Sequence, residues 1–237
     1  MKRNIRATLF VAGAVLLAIL AWCLVPVGPR FVYHVGAVAV VPDEPLTLRL
    51  NYIAPVGRSV NMEVVSLVCD DQTQLAALGS SQRWSWSLRS SRHVDVQVGS
   101  AVSVGAAASG VIVRSGGRTA LIPLGHIQLT SADADSVARR CTTLVTGYAT
   151  LPAGSSASFD VGLDKGVRIQ RLLPDVSSVA TVMTGDQGTP WSITVGSPAG
   201  SPLCFVYRPL IVGVDEEQRE RTYLGPMIQV LRWSSGD

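Results

Sequence analysis

Residues 82–89 read QRWSWSLR and hold the most pointed side-chain chemistry in the chain. In an extended segment Trp84, Trp86 and Leu88 share one face, and Arg83, Ser85, Ser87 and Arg89 share the other. Two indoles in line stack on sugar rings or bases, and arginines beside them suit an anionic glycan or a phosphate. Trp84, Trp86, Arg83 and Arg89 are therefore the candidate ligand-binding residues. The competing reading is one side of an ordinary strand. Leu88 stands in line with the indoles, where a ligand platform rarely needs an aliphatic group, and the opposite side is polar as solvent requires. Each buried Trp would stabilise by about 2–3 kcal/mol in a chain with only 6% aromatic residues. The one-sided pattern favours the core, with the ligand strip as the alternative.

Other chemistry is sparse. The chain has no CxxC, HExxH or GxSxG. His34, His93 and His126 are far apart, and none has a second ligand at helical spacing. A Ser-His-Asp set means nothing without geometry when serines are this common. The acidic neighbours Asp70-Asp71 and Glu216-Glu217 would point to opposite faces of a strand, which makes poor acid–base couples. The pieces SGG and GSPAGSP lack the lysine and following helix of a phosphate loop and read as turns. No catalytic residue, metal site or cofactor is expected. A hydrolytic envelope enzyme without a recognisable motif is the third-ranked function.

Cys23 lies in the apolar N-terminal segment; Cys69, Cys141 and Cys204 lie in the body. In an oxidising compartment two of these three pair. Cys141 and Cys204 share the second half, so a Cys141–Cys204 disulfide is expected, stabilising by roughly 4 kcal/mol in the chain-entropy model; the alternative is three buried, reduced cysteines acting as small apolar residues. Immunoglobulin landmarks do not accompany it. No Tyr stands two residues before Cys204, and no Trp follows Cys141 at the distance that family requires.

The net charge of +3 comes from 20 basic and 17 acidic residues. Lys2, Arg3 and Arg6 supply the whole excess, and no acidic residue precedes Asp43. The body is formally neutral, so it lacks the basic face that displaces counterions from nucleic acid. Nucleic acid is not an expected partner.

The elements that must position these residues begin with 23 uncharged residues between Arg6 and Arg30. From Ala7 to Val25 a helix would rise about 29 Å, against a hydrocarbon core of about 30 Å. Trp22 would sit near the far interface, and Pro26, Gly28 and Pro29 would stop the helix. Basic residues on the N-terminal side alone favour an N-inside orientation. A cleaved signal peptide, with Ile19 and Ala21 at the −3 and −1 positions, is the rival. The expectation is a basic tail at 1–6 and a signal-anchor helix at 7–27 in the lipid bilayer. The body would then face the periplasm or extracellular space, or the mitochondrial intermembrane space.

After Arg30 short Val-rich runs alternate with turn signals throughout. Leu46, Leu48, Leu50 and Tyr52 line one side of one run, Ser115-Gly116-Gly117-Arg118 reads as a hairpin turn, and Asp215–Gln218 as the tip of a long hairpin. Two helices are expected, Asp71–Leu78 and Ser131–Arg140. The class is all-β, a β-sandwich or barrel-like arrangement in two domains, 28–135 and 136–237. The function expected is a non-enzymatic, membrane-anchored structural or adaptor subunit with protein partners. A membrane-anchored glycan-binding module is the alternative.

Overall fold

A computed structural model describes residues 2–24, 28–55, 57, 59–80, 85–86, 91–99, 105–133, 137–143, 147–152, 154–174, 180–183, 191–196 and 203–233. Residues Lys2–Leu24 form α1. Its described side chains, Val11 through Trp22, are all exposed and join none of the cores. Among the described residues no helix is long and apolar enough to cross a membrane. Of the expected span over 7–27, residues 7–24 are helical and 25–27 lie outside the described residues.

The body is all-β. Its first ten strands are β1 (Arg30–Phe31), β2 (Tyr33–Val40), β3 (Leu46–Ile53), β4 (Ser59–Val60), β5 (Glu63–Cys69), β6 (Gln74–Ser80), β7 (Ser85–Trp86), β8 (Ser91–Val98), β9 (Ala107–Ser115) and β10 (Arg118–Ser131). The next ten are β11 (Thr142–Thr143), β12 (Tyr148–Pro152), β13 (Ser156–Gly162), β14 (Arg168–Leu173), β15 (Ala180–Met183), β16 (Trp191–Gly196), β17 (Leu203–Arg208), β18 (Leu210–Val214), β19 (Glu220–Leu224) and β20 (Ile228–Trp233).

In the first half, β1-β3-β8-β6 packs over β5-β9-β10-β2, and β6 bonds to both β8 and β5 at the edge. The alternating run on β3 buries Leu46, Leu48, Leu50 and Tyr52 between these layers, against Val94, Val96, Val111, Ile127 and others. In the second half, β11-β13-β16-β15 covers a core of Phe159, Val161, Ile193, Val195, Phe205, Tyr207 and Ile228. This is the sandwich arrangement that one-sided strands adopt to cover their apolar faces.

One sheet runs through both halves. β2 pairs in parallel with β10 on one side and with β17 on the other, and β17 continues to β20 and β12. On β17, Cys204 and Val206 belong to the first core, while Phe205 and Tyr207 belong to the second. On β2, Val38 and Val40 face the first core and Ala37 the second. A sheet buried on both faces explains why Leu203–Tyr207 is apolar without alternation. Gly36 makes the pairing possible. Its φ is +149°, and a Cβ there would stand 1.8 Å from the carbonyl oxygen of Val206. Gly125, at the β10 irregularity, plays the same part against the backbone of His34.

Two expected helices are corrected. Asp71–Leu78 is a tight turn followed by β6: Gln72 (φ 66°) donates its N–H to the Cys69 carbonyl, and Asp71 Oδ1 accepts the Thr73 N–H. The aspartate made a turn locally rather than a helix start. Ser131 ends β10, and only Val137–Ala138 are helical among the described residues of Ser131–Arg140. Arg139–Cys141 is held as a strand-like piece, with Leu224 donating to Arg139 and accepting from Cys141. The two expected hairpin turns are present, with Gly116 and Gly117 at positive φ between β9 and β10. At the other, Asp215 accepts the N–H groups of Glu217 and Arg219. The Arg219 N–H, with the Arg219 and Arg221 guanidinium groups, holds the Asp215 carboxyl down to about 2.

Candidate functional site

Of the residues singled out in the sequence, Arg83, Trp84 and Arg89 lie outside the described residues. The backbone of Ser85–Trp86 pairs with Val60 and Ser59.

The cysteine expectation is corrected. Cys141 and Cys204 are not joined, and Cys69, Cys141 and Cys204 are all free thiols. The reason is topological. Cys204 points into the first core from β17, whereas Cys141 packs against the second.

Cys204 instead takes part in a sealed polar cluster where the two halves meet. It lies opposite His34 in the β17–β2 register. Asn51 Nδ2 donates to Cys204 Sγ at 3.2 Å, the Asn51 backbone N–H donates to His34 Nε2 at 3.1 Å, and His34 Nδ1 lies 2.6 Å from the Val32 carbonyl. Nε2 must then be the bare nitrogen and Nδ1 the protonated one. Tyr148, from β12, donates its hydroxyl to Asn51 Oδ1 at 3.3 Å, and Arg49 stacks 4.8 Å above the Tyr148 ring while pairing with Asp95 at 2.8 Å.

Cys, His and Asn are the residue types of a thiol nucleophile set, yet the physics here runs the other way. Such a set needs a thiolate beside an imidazolium. Burial pushes the Cys204 thiol up to about 12 and the His34 imidazole down to about 4, so both are neutral near pH 7. His34 and Cys204 are each 0% exposed, and the basic nitrogen of His34 is already occupied. The cluster's chemistry is adhesive: it satisfies buried polar groups at the seam.

The accessible candidate is a cleft of about 310 Å³ at the opposite end of β2. It exists because prolines break two neighbouring strands at one level. Pro209 separates β17 from β18 and Gly225-Pro226 separates β19 from β20; Pro209 still accepts the Gly225 N–H at 2.8 Å. Proline has no N–H for the ladder, so the sheet divides there. The walls are Glu44–Thr47 from the first half, and Arg140, Cys141, Arg208 and Leu224–Met227 from the second.

Three charges sit in this cleft. Glu44 receives both prongs of the Arg140 guanidinium, at 2.7 and 3.2 Å, and that pairing holds its carboxyl below the usual carboxylate range. Arg208 is different: its Nε is buried and has no hydrogen-bond partner in the protein. Burial lowers its pKa, the Arg140 charge lowers it further, and Glu44 offsets part of this. Burial holds the Cys141 thiol in the wall at about 12, so it remains protonated near pH 7. Among the described residues no group of three metal-ligating side chains is present.

Comparisons with known proteins add little. No family model matches the chain, and no curated protein matches it. Solved structures with local likeness include the mixed-linkage glucan utilization locus protein SGBP-B of Bacteroides ovatus, solved with a mixed-linkage heptasaccharide, at 11% identity over 83% of this chain and 43% of that one. An I-band fragment of titin, I67–I69, matches at 10% identity over 88% of this chain and 66% of that one. The tandem immunoglobulin repeats of Dlar match at 8% over 87% and 98%. The TM-score is 0.25 in all three, a level that carries no argument about fold or function. The chain spans less than half of the SGBP-B structure and about two thirds of the titin fragment.

Proposed function

We propose that the protein is a non-enzymatic, single-pass membrane-anchored structural or adaptor subunit of a membrane or cell-envelope assembly. Its body stands on the side of the membrane opposite the basic N-terminus, in the periplasm or extracellular space. The observation that carries this reading is the way α1 is used. Its described apolar side chains, Val11 to Trp22, cover neither core, and a few residues further along the chain come β1 and then β2, the strand that both cores share. Exposed Leu17 (68%) and Trp22 (61%) have no reason to face water unless another apolar phase or chain covers them. Beyond that junction one sheet runs through both halves of the body, a stiff support suited to holding a partner at a set distance.

Three measurements on native membranes test the proposal together. The protein should stay in the pellet through alkaline carbonate extraction, its body should be cut only by protease supplied on the trans side, and trans-side cross-linking should yield the same partner in repeated preparations. Release into the carbonate supernatant would sink the anchor. Cross-linking that yields only monomer would sink the adaptor role.

A further inference from the structure

We infer that the cleft at the sheet break binds a carboxylate carried by an extended segment of a partner protein, with Arg208 as the group that recognises it. This names the partner chemistry for the adaptor reading above and rests on that reading for the occupant being a protein.

The charges point to the class of ligand. Arg140 and Glu44 satisfy each other through two hydrogen bonds, which leaves Arg208 as the charge in excess. With its Nε buried and unpartnered, the Arg208 guanidinium carries a desolvation cost that a negative charge placed in the cleft beside it would offset. A single carboxylate matches both the planar fork and the one spare positive charge. A phosphate dianion would overcompensate and lie close to Glu44. The remaining walls set the apolar side chains of Pro45, Pro226 and Met227 among polar groups, a mixture that suits a peptide residue, with its stem and its backbone, better than a free ion. The volume of about 310 Å³ is at the lower end of ligand pockets, room for a residue or two. Placement also fits. β2 leaves the α1 end of the body at Tyr33 and reaches the cleft turn after Val40, and its eight residues hold the site roughly 26 Å from that end.

The test uses the full chain in detergent micelles, reading the arginine Nε–Hε resonances by NMR. The probes are acetyl-trialanine as free acid, the same peptide as its amide, and inorganic phosphate. The free acid should bind and move the Arg208 Nε–Hε resonance, with the amide and phosphate each about tenfold weaker or more. Arg208→Lys should weaken the acid about tenfold while leaving the melting temperature within a degree or two. Glu44→Gln frees Arg140 and should tighten the acid severalfold, so the proposal stays testable even if the Arg208 variant fails to fold. Equal binding of acid and amide, phosphate binding as tight as the acid, or a Glu44→Gln variant that binds no better would each overturn it. If the acid binds as expected but trans-side cross-linking finds no partner, the adaptor reading falls and the carboxylate site stands.

Discussion

Gly36→Ala is the sharpest perturbation the fold allows. The methyl group would be built 1.8 Å from the Val206 carbonyl oxygen and 2.8 Å from its carbon, both backbone atoms of β17. Rotation of a side chain cannot relieve this, so β17 must retreat from β2 by more than an ångström. Overpacking of this kind costs about 1–3 kcal/mol, and an L-residue at φ +149° adds about 1–3 kcal/mol. Together these remove roughly 2–6 kcal/mol from a domain stability of about 5–15 kcal/mol. Because Cys204 and Val206 serve one core and Phe205 and Tyr207 the other, both cores should loosen together. Urea unfolding of the full chain in micelles, followed by Trp fluorescence and by far-UV circular dichroism, should show one shared transition at lower urea. Two controls separate the causes. Gly57→Ala has a φ of +73° in open space and should cost about 1–2 kcal/mol; Gly99→Ala, with nothing nearby, should stay within about 0.5 kcal/mol. A Gly36→Ala midpoint that overlays the Gly99→Ala midpoint would refute the parallel β2–β17 seam. Two separated transitions would refute the shared sheet.

Three further outcomes follow from the seam and the segments around it. Burial lowers the His34 pKa from 6.5 to about 4, so between those values the unfolded chain binds more protons; stability should be full above about pH 6.5 and fall by up to about 3 kcal/mol as pH drops to about 4. His34→Gln should flatten that slope, and parallel stability–pH curves for parent and variant would contradict it. Alkylation followed by non-reducing peptide mapping should find Cys69, Cys141 and Cys204 all unpaired, with Cys204 reacting only after denaturation; a Cys141–Cys204 peptide would disprove this. Trp86→Ala should destabilise by roughly 3–5 kcal/mol if the indole is core; a thermal melt identical to the parent's, with sugar binding lost, would move the glycan-binding alternative to first place.

Much of the fold was legible because one-sided strands announce themselves. The Leu46–Tyr52 alternation became the inner face of β3, and the two glycines of Ser115–Arg118 took the positive φ values that the β9–β10 turn needs. What was not legible is which strands meet. Nothing in Tyr33–Val40 states that it will lie between Gly125–Ser131 and Leu203–Arg208, both in parallel. Long-range parallel pairing leaves no local pattern, only a loss of alternation that a buried helix segment would share. The sealed cluster was hidden for the same reason: His34, Asn51 and Cys204 are scattered along the chain and meet only through that pairing. Asp71–Leu78 misled because an aspartate ahead of a Gln-Leu-Ala run serves a helix cap and a turn equally well, and only the neighbouring β5 and β8 decide.

The cleft, by contrast, did leave a signal that residue-by-residue reading passes over. Leu203–Val214 and Thr222–Trp233 read as the two arms of a hairpin with its tip at Asp215–Gln218. Counting back from that tip in the antiparallel register, Val214 meets Glu220 and Leu210 meets Leu224, so the next step places Pro209 opposite Gly225, with Pro226 directly behind. Prolines so nearly level interrupt the ladder, and the two arms pair again only beyond them, shifted by one residue, from Tyr207 opposite Ile228. The residue just before the first proline is Arg208, a lone charge in an otherwise apolar run from Leu203 to Val214. A long cationic side chain beside a gap in a sheet is where an interior guanidinium is tolerated, because the broken ladder leaves a cavity that admits solvent or a ligand acceptor. Matched prolines on paired strands, flanked by an isolated arginine, therefore carry positional information about a cleft that neither strand carries alone.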